Sequence, residues 1–299
     1  MDVIIDFISL VLKLAVPLTL AALAGTLSER SGVINIGLEG TMLMGAFFAA
    51  VGAGLSGNPW VGVLFALLIG VMMGLLHAFF CLTLHGHQVV IGVAVNLFAT
   101  GITPLLTRLV WNREGASDTL PSIAAVSVPL LKDIPVIGKL FTNQPPFVFI
   151  TLFIFIVLFI FMKRTKYGLR LRMIGDHPTG AQTQGINVKK YKYFAVMVSG
   201  SIAALGGAYL SIAHSNVFVL NMVAGRGFMG MAANIFGGWT IGGSALASLF
   251  FAAVQSTRYY LIGSPIPDQF VLMIPYVATL IILTAFSRNS RSPEGLGKI

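Results

Sequence analysis

Nine apolar runs, each long enough to cross a lipid bilayer, dominate this sequence. An α-helix needs about 20 residues to span roughly 30 Å of hydrocarbon. The runs lie near residues 5–27, 37–55, 60–82, 89–111, 147–162, 193–213, 217–237, 241–262 and 268–286. Arg226 and several glycines interrupt the seventh run, which indicates a broken or re-entrant segment. The sequence therefore predicts an all-α polytopic membrane protein with about nine transmembrane helices, within a range of eight to ten.

The composition agrees with this class and excludes most soluble folds. Only 10% of the residues are charged and 56% are hydrophobic, whereas ordinary globular domains carry about 25% charged residues. The single cysteine, Cys81, excludes an intramolecular disulfide and a multi-cysteine metal site. His85 and His87 have no acidic or cysteine cluster beside them, so no metal site is predicted. We treat residues 1–299 as a single transmembrane domain.

The positive charges indicate the orientation of the chain in the membrane. The net charge is +9, and eight of the 19 basic residues lie in the hydrophilic loop 163–193, opposed only by Asp176. Because basic loops stay on the cytoplasmic side, we expect this loop and the C-terminus to be cytoplasmic. The connection 112–146 is proline-rich with balanced charges, which favours an external loop. Because membrane orientation accounts for the positive charge, we expect no nucleic-acid partner.

A short helix is predicted inside the basic loop. Asp176 suits an N-cap, Pro178 suits a first turn, and Gly185 suits the left-handed residue after a helix end. The segment near 176–185 would form a two-turn helix that projects from the membrane. A helix this short needs packing against its own membrane helices and against a cytoplasmic partner. An ordinary solvated connection is the alternative.

A second segment combines glycines with an acidic residue close to the membrane. Asn35 and Glu39 are four residues apart and would share a face if 35–39 were helical. A carboxylate near membrane depth is costly unless it faces protein or water, so Glu39 is a candidate functional residue. A local cap or ion pair at the interface is the alternative.

Together, these segments resemble the permease subunits of ATP-binding-cassette (ABC) importers for nucleosides, which belong with the branched-chain amino acid and simple sugar permeases. The resemblance rests on SERSGVINIGLEG at 28–40 and on GDHP and GINV within 175–188, and it extends to QVVIGVAVN at 88–96 and GRGFMGMAA at 225–233. It implies that the helix near 176–185 is the coupling helix, which docks on the ATPase. The implied coupling residues are Gly175, Asp176, His177, Pro178, Ala181, Gly185 and Ile186. The sequence departs from the family pattern at Gly180, where the family has alanine, and at Gln182, where it has an acidic residue.

The resemblance also implies a set of partners. These are a cytoplasmic ABC ATPase that binds ATP and magnesium, a second homologous permease subunit, an extracellular substrate-binding lipoprotein and a nucleoside substrate. The chain itself would be a non-enzymatic subunit in the cell membrane without a cofactor, and the sequence contains no G-x-x-x-x-G-K-[ST] phosphate loop. Candidate residues of the translocation path are Asn35, Glu39, Asn96, Arg226, Asn234 and Gln255. For each of these, interhelical hydrogen bonding is the alternative.

Three other interpretations stay open on the sequence. The same machinery could carry a simple sugar or another small polar solute. An ion-driven secondary transporter would use Glu39 or Asp6 as its ion site, and an intramembrane enzyme would use His77, His85 or His87. The pattern G-x-G-x-x-G at 225–230 lacks the preceding strand of a dinucleotide site, so it predicts close helix packing instead.

Overall fold

The computed structural model describes residues 2–126, 143–261, 273, 277 and 292–298. Within these residues the chain forms helices and no strand, apart from two isolated β-bridges, Ala116 with Val219 and Val126 with Gln144. In chain order the helices are α1 Asp2–Glu29, α2 Leu38–Ser56, α3 Pro59–Ala78, α4 Gln88–Trp111, α5 Pro146–Arg164, α6 Lys166–Asp176, α7 Pro178–Thr183, α8 Val188–Tyr209, α9 Arg226–Phe236 and α10 Ile241–Leu261. Single π-helical turns follow α3 at Phe79–Thr83 and α8 at Leu210–His214.

Six of these helices are long and apolar enough to cross a membrane: α1, α2, α3, α4, α5 and α8, the two π-helical turns included. They confirm the first six predicted spans. The tenth helix, α10, matches the predicted span 241–262 in extent but is more polar. The predicted span 268–286 lies outside the described residues except at Met273 and Val277, so the count of nine is not confirmed.

The predicted span 217–237 is wrong as a continuous crossing. Only α9, with 11 residues, is helical there, and at 1.5 Å per residue it reaches about 16 Å, half of a bilayer core. Gly225 has a left-handed backbone conformation with φ of 80° and precedes the helix. A short helix that begins inside the protein matches the broken segment that the glycines and Arg226 predict.

Small residues allow the central helices α1, α2, α3 and α8 to approach closely. A Cβ atom on Gly207 of α8 would lie 1.8 Å from the carbonyl oxygen of Met42 in α2, and one on Gly200 would lie 2.2 Å from the carbonyl oxygen of Gly70 in α3. Apolar burial contributes little to helix association in lipid, so such close backbone contacts provide the van der Waals attraction. Glycines at these crossings therefore serve helix packing.

The two ends of the helix assembly differ. At one end, which we call the basic end, segment 30–37, α6, α7 and the segment 292–298 contact one another. At the other end, residues 117–123 run along the chain that follows α8, where Ser117 N–H donates to the Phe218 carbonyl at 2.9 Å. The loop predicted at 163–193 belongs to the basic end. It is largely helical, because it contains α6, α7 and the first turns of α8.

Candidate functional site

Glu39 connects α2 to the N-terminus of α9. Its two carboxylate oxygens accept hydrogen bonds from the backbone N–H groups of Gly225 at 2.8 Å and Gly227 at 2.7 Å. The first N–H groups of a helix lack partners within the helix and carry partial positive charge, so a carboxylate stabilises that end. A Cβ on Gly227 would lie 2.6 Å from the Glu39 Cα, so glycine is needed for this approach. Glu39 thus caps a helix that starts inside the protein.

The residues just before α2 are not helical and are held by the side chain of a neighbouring helix. Helix α2 begins at Leu38, so Asn35 and Glu39 do not share a helical face as the sequence suggested. Asn96 of α4 accepts from Gly40 N–H at 2.7 Å and donates to the Ile36 carbonyl at 3.0 Å. These two bonds replace backbone pairing where the chain is not helical, which is required away from water.

Asn35 is 2% exposed, and its side-chain oxygen has no hydrogen-bond partner among the described residues. A Cβ added to Gly37 would lie 3.4 Å from this oxygen, so Asn35 is close to the residue that precedes α2. Asn35 and Asn96 therefore both lie close to the segment that precedes α2, and the Asn96 amide bonds through both its oxygen and its nitrogen.

A second carboxylate, Glu29, forms a buried cluster that the sequence did not identify as a candidate site. It is 5% exposed, and its Oε2 atom accepts from Trp239 Nε1 at 2.5 Å and from Asn234 Nδ2 at 2.8 Å. The Asn234 oxygen in turn accepts from the Thr26 hydroxyl at 2.8 Å. This cluster links the end of α1 to α9 and to the turn before α10. A signal was present, because an acidic residue at a helix C-terminus opposes the helix dipole and needs another partner.

The other two candidate path residues, Arg226 and Gln255, bond to residues close to or in α9. The Arg226 guanidinium donates to the carbonyls of Met222 and Val223 at 3.1 and 3.0 Å, and it forms no salt bridge among the described residues. Gln255 Nε2 lies 3.1 Å from the Met229 sulfur. The structure thus brings Glu39 and Arg226 to the start of α9, Asn234 to its other end, and Asn96 beside α2.

The helix predicted near 176–185 is present and shorter, at Pro178–Thr183. Asp176 ends α6 and is not the N-cap; His177 occupies that position. Gly185 has φ of 73°, so the left-handed residue after the helix is confirmed. Ala181 is fully buried against Ile174 and Val188, whereas the side chains of Thr179, Gln182, Thr183 and Gln184 are exposed.

The segment 292–298 connects the end of α6, next to this helix, to segment 30–37. Gly295 N–H donates to the Gly175 carbonyl at 2.8 Å, and Gly297 N–H donates to the Gly32 carbonyl at 3.0 Å. Lys192, which is 1% exposed, donates to the Lys298 carbonyl at 2.6 Å. Segment 292–298 therefore bonds both to the end of α6 and to segment 30–37, which leads to Glu39.

The groups that a secondary transporter or an enzyme would use are dispersed. Asp6 is exposed, and both oxygens of Glu39 are occupied by N–H groups. His77 is buried and its Nε2 lies 3.0 Å from the Ile34 carbonyl, whereas His85 and His87 are exposed. Among the described residues no group of three His, Cys, Asp or Glu side chains could hold a metal ion.

Comparison with known proteins gives one family. Residues 7–283 match the family described as branched-chain amino acid transport system / permease component. The chain is 37% identical over 296 residues to the guanosine ABC transporter permease protein NupQ of Bacillus subtilis, covering 95% of this chain and 92% of that protein. It is 36% identical over 294 residues to the nucleoside ABC transporter permease protein NupC of Lactococcus lactis, with 94% and 92% covered.

Two further similarities bear on assembly and fold. The guanosine ABC transporter permease protein NupP, also from Bacillus subtilis, is 23% identical over 283 residues, covering 91% of this chain and 79% of that protein. A solved ABC transporter of the metal-chelate type, in an inward-facing conformation, matches with a TM-score of 0.55 at 15% identity, covering 93% of this chain and 85% of that chain. The second similarity concerns the fold alone.

Proposed function

We propose that this chain, which belongs to the family of branched-chain amino acid transport system permease components, is the membrane-spanning permease subunit of an ABC importer for nucleosides. The observation that carries the proposal is the similarity along almost the whole chain to permeases named for guanosine and nucleosides, at 37% and 36% identity. The six apolar helices support a multi-pass membrane protein. ATP would be bound and hydrolysed in a partner chain with magnesium.

The partners follow from the same family. A cytoplasmic ATPase would supply energy, and a substrate-binding lipoprotein would deliver the nucleoside from outside. A second permease would complete the path. The presence of two guanosine permease proteins, NupQ and NupP, in one Bacillus subtilis strain supports a pair of different permeases.

The mechanism would start at α7. Its exposed residues would contact the ATPase, and its buried Ala181 would hold it on α6 and α8. The bonds from Gly295 to Gly175 and from Gly297 to Gly32 would carry a displacement of α7 to segment 30–37. That segment ends at Glu39, which holds the start of α9. ATP binding and release would thus bias a two-state change at the helix that starts inside the protein.

The basic end would face the cytoplasm, because the positive charges lie there. Cys81 is fully buried, so it should react little with a thiol reagent, and labelling of a single introduced cysteine can be detected. An impermeant thiol reagent added outside intact cells should label Asp118→Cys and leave Lys189→Cys unlabelled. If only Lys189→Cys were labelled, the basic end would face outside, opposite to the orientation proposed.

Reconstitution tests the function itself. The chain would be placed in proteoliposomes with its ATPase, second permease and lipoprotein, and uptake of a radiolabelled nucleoside would be measured. We expect uptake that needs ATP and is competed by unlabelled nucleoside but not by glucose. Competition by glucose alone would assign the same machinery to sugars. Uptake by this chain alone under an ion gradient would assign a secondary transporter instead.

A further inference from the structure

A cavity of about 360 Å³ opens at the basic end between α5, α6 and two turns. The turns are the one that follows α1 and the one that precedes α10. Three cationic side chains line the cavity, Arg30, Lys163 and Arg172, together with the aromatic rings of Phe159 and Trp239. None of the described lining residues is acidic. Such a wall attracts an anion of modest size.

The three cations have few partners in the described part of the protein. None of them forms a salt bridge there, and the Arg172 Nε atom is buried without a hydrogen-bond partner. Arg30 donates to the Trp239 carbonyl, and Lys163 lies 4.5 Å above the Phe159 ring. Burial lowers the pKa of the Arg30 guanidinium, the Asp176 carboxylate offsets part of this effect, and the charge of Arg172 adds a smaller lowering. An anion in the cavity would supply a further counter-charge to Arg30 and Arg172.

Helix α10 begins on the same wall. Thr240 accepts from Gly243 N–H at 3.1 Å, and Ile241 and Gly242 line the cavity. The partial positive charge at a helix N-terminus adds to the three cationic side chains. Planar guanidinium groups and helix N-termini are the usual partners of phosphate groups.

A separate apolar groove of about 190 Å³ lies one helical turn further along α5 and α10, against α1. Its walls include Leu12 and Val16 of α1, Leu152 and Phe155 of α5, and Ala245 and Leu249 of α10. Phe155 lies one helical turn from Phe159 of the cationic cavity, and Ala245 lies one turn from Ile241. The α5 wall of the groove, from Val148 to Phe155, is about 10 Å long at 1.5 Å per residue, which accommodates part of a fatty acyl chain.

We propose that the cationic cavity and the apolar groove together bind one anionic phospholipid. Its phosphate lies between Arg30, Lys163 and Arg172, and one acyl chain lies in the groove between α5 and α10. A soluble phosphate compound offers the same charge but has nothing to place in the groove. The proposal requires the apolar helices to lie in a membrane and does not depend on the transported substrate.

The test measures lipid binding to the purified importer complex by native mass spectrometry, with phosphatidylglycerol and phosphatidylcholine of equal chain length as probes. We expect the wild-type complex to retain phosphatidylglycerol preferentially. Arg172→Gln and Lys163→Gln should each weaken that binding about fivefold, the loss typical of one basic contact with an anionic membrane lipid. The neighbouring cations Arg170 and Arg164 do not line the cavity, so Arg170→Gln and Arg164→Gln are matched controls and should bind as the wild type does.

Two further variants separate the lipid from a soluble phosphate. Ala245→Trp fills the groove, whereas Leu246→Trp places the same ring on a side chain that is 69% exposed. Only Ala245→Trp should reduce retention of phosphatidylglycerol, and inorganic phosphate or glycerol phosphate should not displace the lipid from the wild type. If these small phosphates displaced the lipid and Ala245→Trp retained phosphatidylglycerol as the wild type does, the ligand would be a soluble anion and the proposal of a bound lipid would be wrong.

Equal retention of the two lipids, or unchanged binding to both glutamine variants of the cavity, would also overturn the proposal. Lys163 is exposed, so its variant should fold even if Arg172→Gln does not. Unfolding temperature of each complex without added lipid confirms that the variants are folded.

Discussion

The carboxylate of Glu39 accepts a hydrogen bond of 2.7 Å from the backbone N–H of Gly227 and so fixes the first turn of α9 against the first turn of α2. A second bond, from Gly225, uses the other carboxylate oxygen. A charged acceptor at a helix N-terminus forms stronger bonds than a neutral amide, which can offer only one oxygen.

We therefore expect Glu39→Gln to reduce ATP-coupled uptake about tenfold and to lower the free energy of unfolding by about 1–3 kcal/mol. Glu114→Gln, on an exposed residue, is the control and should behave as the wild type. Uptake in proteoliposomes and thermal unfolding of the purified complex measure the two effects. Normal uptake by Glu39→Gln would remove Glu39 from the gating mechanism.

Gly207 should not tolerate even alanine. A Cβ there would lie 1.8 Å from the Met42 carbonyl, so α2 and α8 would have to separate at the centre of the assembly. Overpacking of this kind costs about 1–3 kcal/mol. Gly101 of α4 has open space around it, and Gly101→Ala should leave stability unchanged or raise it. The amount of each variant in the membrane and its unfolding temperature measure the difference. Equal values for the two variants would contradict the close contact between α2 and α8.

Trp239→Phe should destabilise the protein because it leaves the Glu29 carboxylate with one donor fewer in a buried site. The expected cost is about 1–3 kcal/mol. Trp60 is half exposed, so Trp60→Phe is the control with the same chemical change. In a double-mutant cycle, Glu29→Ala and Trp239→Phe should be less than additive, since both remove the same bond. Strict additivity would show that the pair does not interact.

Gly295→Ala should weaken coupling through α7. The added Cβ would lie 2.7 Å from the Gly175 carbonyl and 2.8 Å from Pro178, at the junction of α6 and α7. On α7 itself, a Cβ at Gly180 would meet only the His177 Cβ at an ordinary 3.6 Å, so Gly180→Ala should be tolerated. ATPase activity stimulated by the binding protein, together with uptake, measures coupling. Loss of coupling in Gly180→Ala with normal Gly295→Ala would contradict the role of segment 292–298.

Two adjacent residues of α7 should respond in different ways. Gln182 is exposed, so Gln182→Arg should leave the permease folded and weaken association with the ATPase. Ala181 is fully buried, so Ala181→Arg should destabilise the α6 to α8 region itself, because a buried unpaired charge is costly. Co-purification with the ATPase and limited proteolysis of the permease separate the two outcomes. Unaltered association of Gln182→Arg would place the contact elsewhere.

The sequence by itself determined the class of the protein and most of its helices. Runs of about 20 apolar residues have one stable structure in lipid, because every backbone polar group must be paired within the segment. The bounds predicted for α1, α2, α3, α4, α5 and α8 agree with the structure for this reason. Local backbone chemistry likewise identified Gly185 as left-handed and placed a short helix after Pro178.

Only the tertiary structure decided which residues are partners. Glu39 and Gly227 are 188 residues apart, and Glu29 and Trp239 are 210 apart, so no periodicity relates them. The run 217–237 is apolar enough to suggest a crossing, yet the carboxylate of Glu39 stabilises a helix that starts inside the protein, at Arg226. A buried charge in lipid is tolerated only with its donors in place, and the fold alone brings those donors to it.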